Sequence, residues 1–222
     1  MMKTLRTLSA VVLMSALLPT AGRAGDILLE LDGTGTGTFA GLGTNTVTYT
    51  DTVQVENINT GVFEDFDLVL TLNGSAVVTL TPGVGIGVGG DASIEDGESL
   101  GFQVDLTPSA GTQSLLEDFQ FTRIGHGVTV SDFPNDFVSI EDSENNTNIL
   151  ADNYSGDTSI ANLAGNSITL ATSTAPFGAG SIAGISSLGF DATAAPEPSA
   201  IALCMLMCGG FVLRRKERPV LT

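Results

Sequence analysis

The chain has 222 residues, 25 acids against eight Lys and Arg, two cysteines, 27 glycines and no tryptophan, for a formal charge of −17. Seven of the eight cations sit at the two ends, and between Asp26 and Asp191 there are 23 acids and only Arg123. Such a middle repels nucleic acid and anionic lipid, and without cysteine it has no disulfide framework to lean on.

Residues 1–24 are expected to be a secretory signal peptide. Lys3 and Arg6 precede an apolar run over Leu8–Leu18, Pro19 breaks it, and Ala21-Gly22-Arg23-Ala24 offers small residues for cleavage after Ala24. A run of eleven residues is too short to span a hydrocarbon core of about 30 Å. No Arg-Arg pair precedes the run, which favours the general secretory route over the twin-arginine one.

Residues 25–190 are expected to form one exported, acidic, all-β domain. Val47–Val55 alternates apolar and polar, with Asp51 as the one polar residue on the apolar parity. Phe66, Leu68, Leu70 and Leu72 repeat the pattern, and Asn73-Gly74 predicts a tight hairpin turn into Ala76–Leu80. Leu100, Phe102, Val104 and Leu106 form another such face, ended by Pro108. Weaker strands are expected near Phe119–Ile124, Gly127–Val130, Phe137–Ile140, Ser167–Ala171 and Ile185–Phe190. Gly33–Gly43 and Gly83–Gly90 read as flexible or edge segments, and Asp191–Ala195 as a short linker. Short strands with Gly, Pro and Asn turns predict an antiparallel β-sandwich, immunoglobulin-like or jelly-roll-like, between an N-terminal signal helix and a C-terminal transmembrane helix.

Chemistry is sparse in this middle. Gly85-Ile86-Gly87-Val88-Gly89-Gly90 matches G-x-G-x-x-G, but Asp91–Gly97 is a poor helix, so a phosphate cradle would lack its helix terminus. His126, the only histidine, lies between Gly125 and Gly127 and reads as a surface or turn residue. The acidic groups Glu64-Asp65-Asp67, Glu95-Asp96-Glu98, Glu117-Asp118 and Glu141-Asp142-Glu144 could supply paired carboxylates to a glycoside hydrolase, although sugar-stacking tryptophan is absent. Asp132, Asp136, Glu141 and Asp142 are candidate Ca²⁺ ligands, with no EF-hand spacing, which makes a Ca²⁺-dependent adhesin or carbohydrate-binding module the other alternative. No catalytic residue, no fixed metal site and no required cofactor is expected, and the chain reads as noncatalytic.

The tail carries the most specific pattern. Pro196-Glu197-Pro198-Ser199 leads into Ala200–Leu213 without a charge, and Arg214-Arg215-Lys216 closes the run. Fourteen residues make roughly 21 Å of helix, which snorkelling cations can extend toward a full span. The cations hold their end in the cytoplasm, with 219–222 as a cytoplasmic remnant and the acidic middle outside. Cys204 and Cys208 lie within the run and read as small hydrophobes.

Over about residues 194–218 this arrangement resembles a PEP-CTERM sorting signal, with the signal itself at 196–218 in this chain. Ala195 stands where valine is commonest, and six residues come after Lys216 where such tails usually stop sooner. The resemblance implies sorting through Pro196, Glu197, Pro198 and Ser199 by an exosortase, an integral-membrane enzyme, after delivery by the secretion machinery. It implies an inner-membrane stage before processing, then the cell surface or extracellular matrix, with exopolysaccharide as a candidate partner.

Overall fold

The computed structural model describes residues 25–95, 97–130, 138–150, 155–160, 163, 165–172 and 181–196. The candidate signal peptide and the tail beyond Pro196 lie outside these residues, as do Asp96, Asp132 and Asp136.

The described residues are all-β. The strands are β1 (Gly25–Glu30), β2 (Thr38–Ala40), β3 (Thr46–Asn57), β4 (Phe63–Gly74), β5 (Val78–Thr81), β6 (Gly85–Val88), β7 (Ser93–Ile94), β8 (Ser99–Pro108), β9 (Ser114–His126), β10 (Thr129–Val130), β11 (Val138–Asp142), β12 (Thr147–Leu150), β13 (Gly156–Ser159), β14 (Ser167–Thr172), β15 (Ser181–Ala183) and β16 (Ile185–Pro196). Thirteen belong to one sheet. One part runs β12-β11-β14-β8-β4-β3, with β2 on the outer edge of β3, and another runs β13-β9-β16-β1. The hairpin β5–β6 meets β16 at Ile86↔Ile185. The two parts join where β16 runs beside β3 for two residue pairs, Thr193↔Glu56 and Ala194↔Asn57. That short ladder is parallel, while the other described ladders are antiparallel. β10, β15 and β7 form a separate small sheet.

Alternation builds the core. Val47, Tyr49, Val53 and Val55 of β3, Phe66–Leu72 of β4 on the same parity, and Leu100, Phe102 and Val104 of β8 all turn inward. They meet Phe121, Ile124, Leu188 and Phe190 from the other part in one hydrophobic cluster. Asp51 breaks the apolar parity for a reason: its Oδ2 accepts from the Tyr49 hydroxyl at 3.1 Å and from Thr36 Oγ1 at 2.9 Å. Burial first, then the Asp51 charge, pushes the Tyr49 hydroxyl up to about 12, so it remains a donor.

Three local expectations are corrected. β4 continues pairing with β3 as far as Asn73 and with β8 as far as Gly74, so no hairpin turn forms there. The tight turn is Thr81-Pro82-Gly83-Val84, with Gly83 at φ 76 and Val84 N–H donating to Thr81 O at 3.0 Å, as a type II turn with Pro-Gly requires. Within the Gly83–Gly90 stretch, Gly85–Val88 is no flexible edge, because β6 is buried at all four positions. Asp191–Ala195 is no linker either. It is the second half of β16, laddered with β9 from Asp191↔Gln120 to Pro196↔Ser114. The edge reading of Gly33–Gly43 fits β2, which caps β3.

Candidate functional site

A groove opens where the β3–β4 hairpin meets the loop between β8 and β9. Thr60 and Gly61 donate backbone N–H to Asn57 O, and Gly61 at φ 66 reverses the chain, so β4 restarts at Phe63 beside Glu56. Strand parity then decides each side chain's direction. Phe66, Leu68 and Leu70 face the core, so Glu64 faces inward, while Phe63 and Asp65 face outward.

At the end of the core, Glu64 joins a small polar node. The Asn57 amide donates to Glu64 Oε1 at 3.1 Å and to Ser114 Oγ at 2.8 Å, and Asn57 and Ser114 are both buried. Glu64 Oε2 is buried without a hydrogen-bond partner among the described residues. The far wall is held to β4 by its backbone: Ser109 N–H and Thr112 Oγ1 both donate to Asp65 O, at 3.1 and 3.0 Å. Gln54, Phe63, Glu64, Asp65, Gly111, Thr112 and Gln113 line an open groove of about 450 Å³. These walls carry amides, a hydroxyl, two carboxylates and one exposed ring, and among the described residues no cation lines them.

Among the described residues, several of the sequence-derived carboxylates are engaged locally. Glu64 and Asp65 are consecutive on one strand and point to opposite faces. Glu98 Oε2 accepts from the Glu95 backbone N–H at 2.8 Å and braces the turn before β8, while Asp118, within β9, accepts at Oδ1 from the adjacent Phe119 N–H at 2.9 Å. Asp142 does likewise, accepting from Glu144 N, Asn146 N and Asn146 Nδ2 around Asn145 at φ 64. Among the described residues, no three His, Cys, Asp or Glu side chains are grouped to hold a metal ion. Pro196 is the only sorting-signal residue described, as the end of β16. Glu197, Pro198, Ser199, Arg214, Arg215, Lys216 and Ala24 lie outside the described residues, and no described helix is long and apolar enough to cross a membrane.

His126 is buried, contrary to the surface expectation. It ends β9 between β13 and β16, facing Gly156 and Ile185 across the ladders. Nδ1–H donates to Gly127 O at 2.7 Å, and Nε2 lies 2.9 Å from Thr158 Oγ1, whose hydroxyl donates to the neutral ring. Desolvation holds the imidazole below its ordinary 6.5, opposed by the Gly127 carbonyl and the Asp157 charge. The folded state therefore binds its proton later than the unfolded chain as the medium is acidified. The fold is expected to lose stability as pH falls below 6.5, until the folded ring itself protonates, and to feel nothing from this group above it. Melting temperature followed from pH 8 downward checks this: His126→Gln must flatten the slope that begins below 6.5, and an unchanged slope refutes the assignment.

Arg123 braces the same part of the sheet. Its guanidinium contacts Asp26 of β1 at 2.7 Å and Asp157 of β13 at 3.6 Å, and its stem crosses Gly189, where a Cβ would collide with it. The lone cation of the middle thus links four neighbouring strands. No protein family, curated protein or solved structure matches this chain.

Proposed function

We propose that this chain is an exported, noncatalytic protein of the cell surface or extracellular matrix, sorted through Pro196-Glu197-Pro198 and processed there by an exosortase. On this reading the secretion machinery delivers it past the signal cleaved after Ala24, the run 200–213 halts it in the inner membrane, and Arg214, Arg215 and Lys216 keep the stop on the cytoplasmic side. The acidic all-β part is an antiparallel β-sandwich, immunoglobulin-like or jelly-roll-like, whose partner outside is exopolysaccharide or matrix.

One observation carries the reading. β16 is laddered with β9 as far as Pro196, the first residue of the tripeptide, so the described all-β part reaches the candidate sorting sequence directly, with no intervening linker. The noncatalytic part is supported by Glu98 and Asp142, whose carboxylates accept backbone N–H bonds within their own loops. Intact mass after fractionation tests the sorting. Cells with the processing enzyme should release a chain ending at or after Pro196, and cells without it should retain the chain in membranes through Thr222. A terminus at Thr222 in both strains overturns the proposal.

A further inference from the structure

We propose that Ser114 and Asn57 become joined by an intramolecular ester, a self-made cross-link between β9 and β3 at the end of the core. The inference goes beyond the sorting reading and does not depend on it.

The polar node holds the groups that such a step needs. Ser114 supplies a hydroxyl, Asn57 a carboxamide and Glu64 a carboxylate. Asn57 Nδ2 donates to Ser114 Oγ at 2.8 Å and to Glu64 Oε1 at 3.1 Å, while its Oδ1 accepts the Asn59 backbone N–H at 3.0 Å. That third bond fixes which end of the amide is which. It also sets a backbone donor on the oxygen that gains charge when Cγ is attacked. Cγ is one C–N bond from Nδ2, so Oγ lies within about 4.1 Å of it. The step needs Ser114 to change rotamer, carrying Oγ from the edge of the amide to its face, where attack proceeds from roughly 3–3.5 Å.

Glu64 Oε2 finds a use in this reaction. It is buried, on the core side of β4, and has no hydrogen-bond partner among the described residues. Asn57 and Ser114 are each 2% exposed, so the three groups share a place closed to bulk water. An acceptor left there without a donor is costly in a finished fold but suits a general base.

The step balances without an outside reagent. Oγ bonds to Cγ as its proton passes to Glu64 Oε2. The tetrahedral centre then expels Nδ2, which takes that proton once the carboxyl has turned, and leaves as ammonia. One C–O bond replaces one C–N bond, Glu64 is a carboxylate again, and nothing is oxidised or reduced. Ammonia is lost to solvent as ammonium, and burial shields the ester from hydrolysis. The reaction happens once per chain, which suits a noncatalytic protein. It would tie residues 57 positions apart across β16, in a middle with no cysteine to do so.

Mass spectrometry of the secreted full chain tests this. Cleavage after acidic residues frees 57–64 and 106–117, which carry the two groups. They should come off joined, about 17 Da (one ammonia) lighter than their sum, and hydroxylamine should part them. Ser114→Ala and Glu64→Gln should give the Asn57 peptide and the 114 peptide separately, without the deficit. Because either variant could fold poorly, the wild-type digest decides by itself. Separate wild-type peptides of full mass after prolonged storage at neutral pH overturn the proposal. A deficit confined to 57–64 without joining, the mark of a succinimide at Asn57, also overturns it, as does joining that persists in Ser114→Ala. Joining undiminished in Glu64→Gln overturns the role given to that carboxylate. Neither peptide includes a candidate signal or tail residue, so the result is the same whether or not the chain is sorted.

Discussion

Gly87→Ala is expected to destabilise the fold by about 3 kcal/mol, a large share of the roughly 5–15 kcal/mol that holds a domain together. Gly87 lies in the middle of β6, buried, and a Cβ there would run into the backbone of Asp91 and Ala92. The obstacle is main chain rather than a side chain that could swing away, and Thr79 Oγ1, donating to Asp91 O, pins that crossing segment in place. Gly85, at φ 130, faces the Ile185 backbone of β16 just as closely, so the hairpin is confined from a second direction. For a chain of this size the change should lower the melting temperature by roughly 6–12 °C. Gly101→Ala is the control. It too is in a strand, but its nearest neighbour would be Asn73 O at 3.6 Å, ordinary contact, and alanine there should be neutral or mildly stabilising. A calorimetric scan in which Gly87→Ala melts with the wild type would show that β6 is not crossed as described.

The same glycines show which parts of the fold could be read from the residues alone. Alternation exposes strands when side chains carry it, so β3, β4 and β8 are legible from Val47–Val55, Phe66–Leu72 and Leu100–Leu106. Gly85-Ile86-Gly87-Val88 has no such contrast, and its glycines answer to chain crossings distant in sequence, which no local pattern encodes. His126 misleads for a related reason. Its flanking glycines suggest an open turn, yet Gly125 is tight against Ser187 and Gly127 against the Ala183 backbone, so they mark close packing around a buried ring. Asn73-Gly74 misleads because turn propensity is a local preference, and the ladder to β8 outweighs it. The groove is half legible. Parity from Phe66 onward places Glu64 inward and Phe63 outward, an inversion of what their chemistry prefers and a signal of a site. The partners from the far wall, Thr112 and Gln113, approach through a loop whose position only the tertiary structure sets.

Truncation should divide sharply at Pro196. A chain stopped after Phe190 is expected to lose about 5 kcal/mol or more and to fail to accumulate as folded protein. It would forfeit the ladder from Asp191 to Pro196 against β9, the parallel contact with Glu56 and Asn57, the bond from Ile58 N to Ala194 O, and the burial of Ala192 and Ala194. Several backbone bonds at about 1 kcal/mol each, with newly bared apolar surface beneath them, account for that loss. A chain stopped after Pro196 keeps all of these and should melt well above the chain stopped after Phe190. The two truncated chains also bear on processing. A peptide must be drawn out of its ladder to enter a cutting site, so the bonds between Asp191 and Pro196 are protected by the fold and, on the proposed sorting, are expected to resist processing. Equal stability of the two truncated chains would mean that the end of β16 beyond Phe190 contributes nothing and leaves the bonds before Pro196 unprotected.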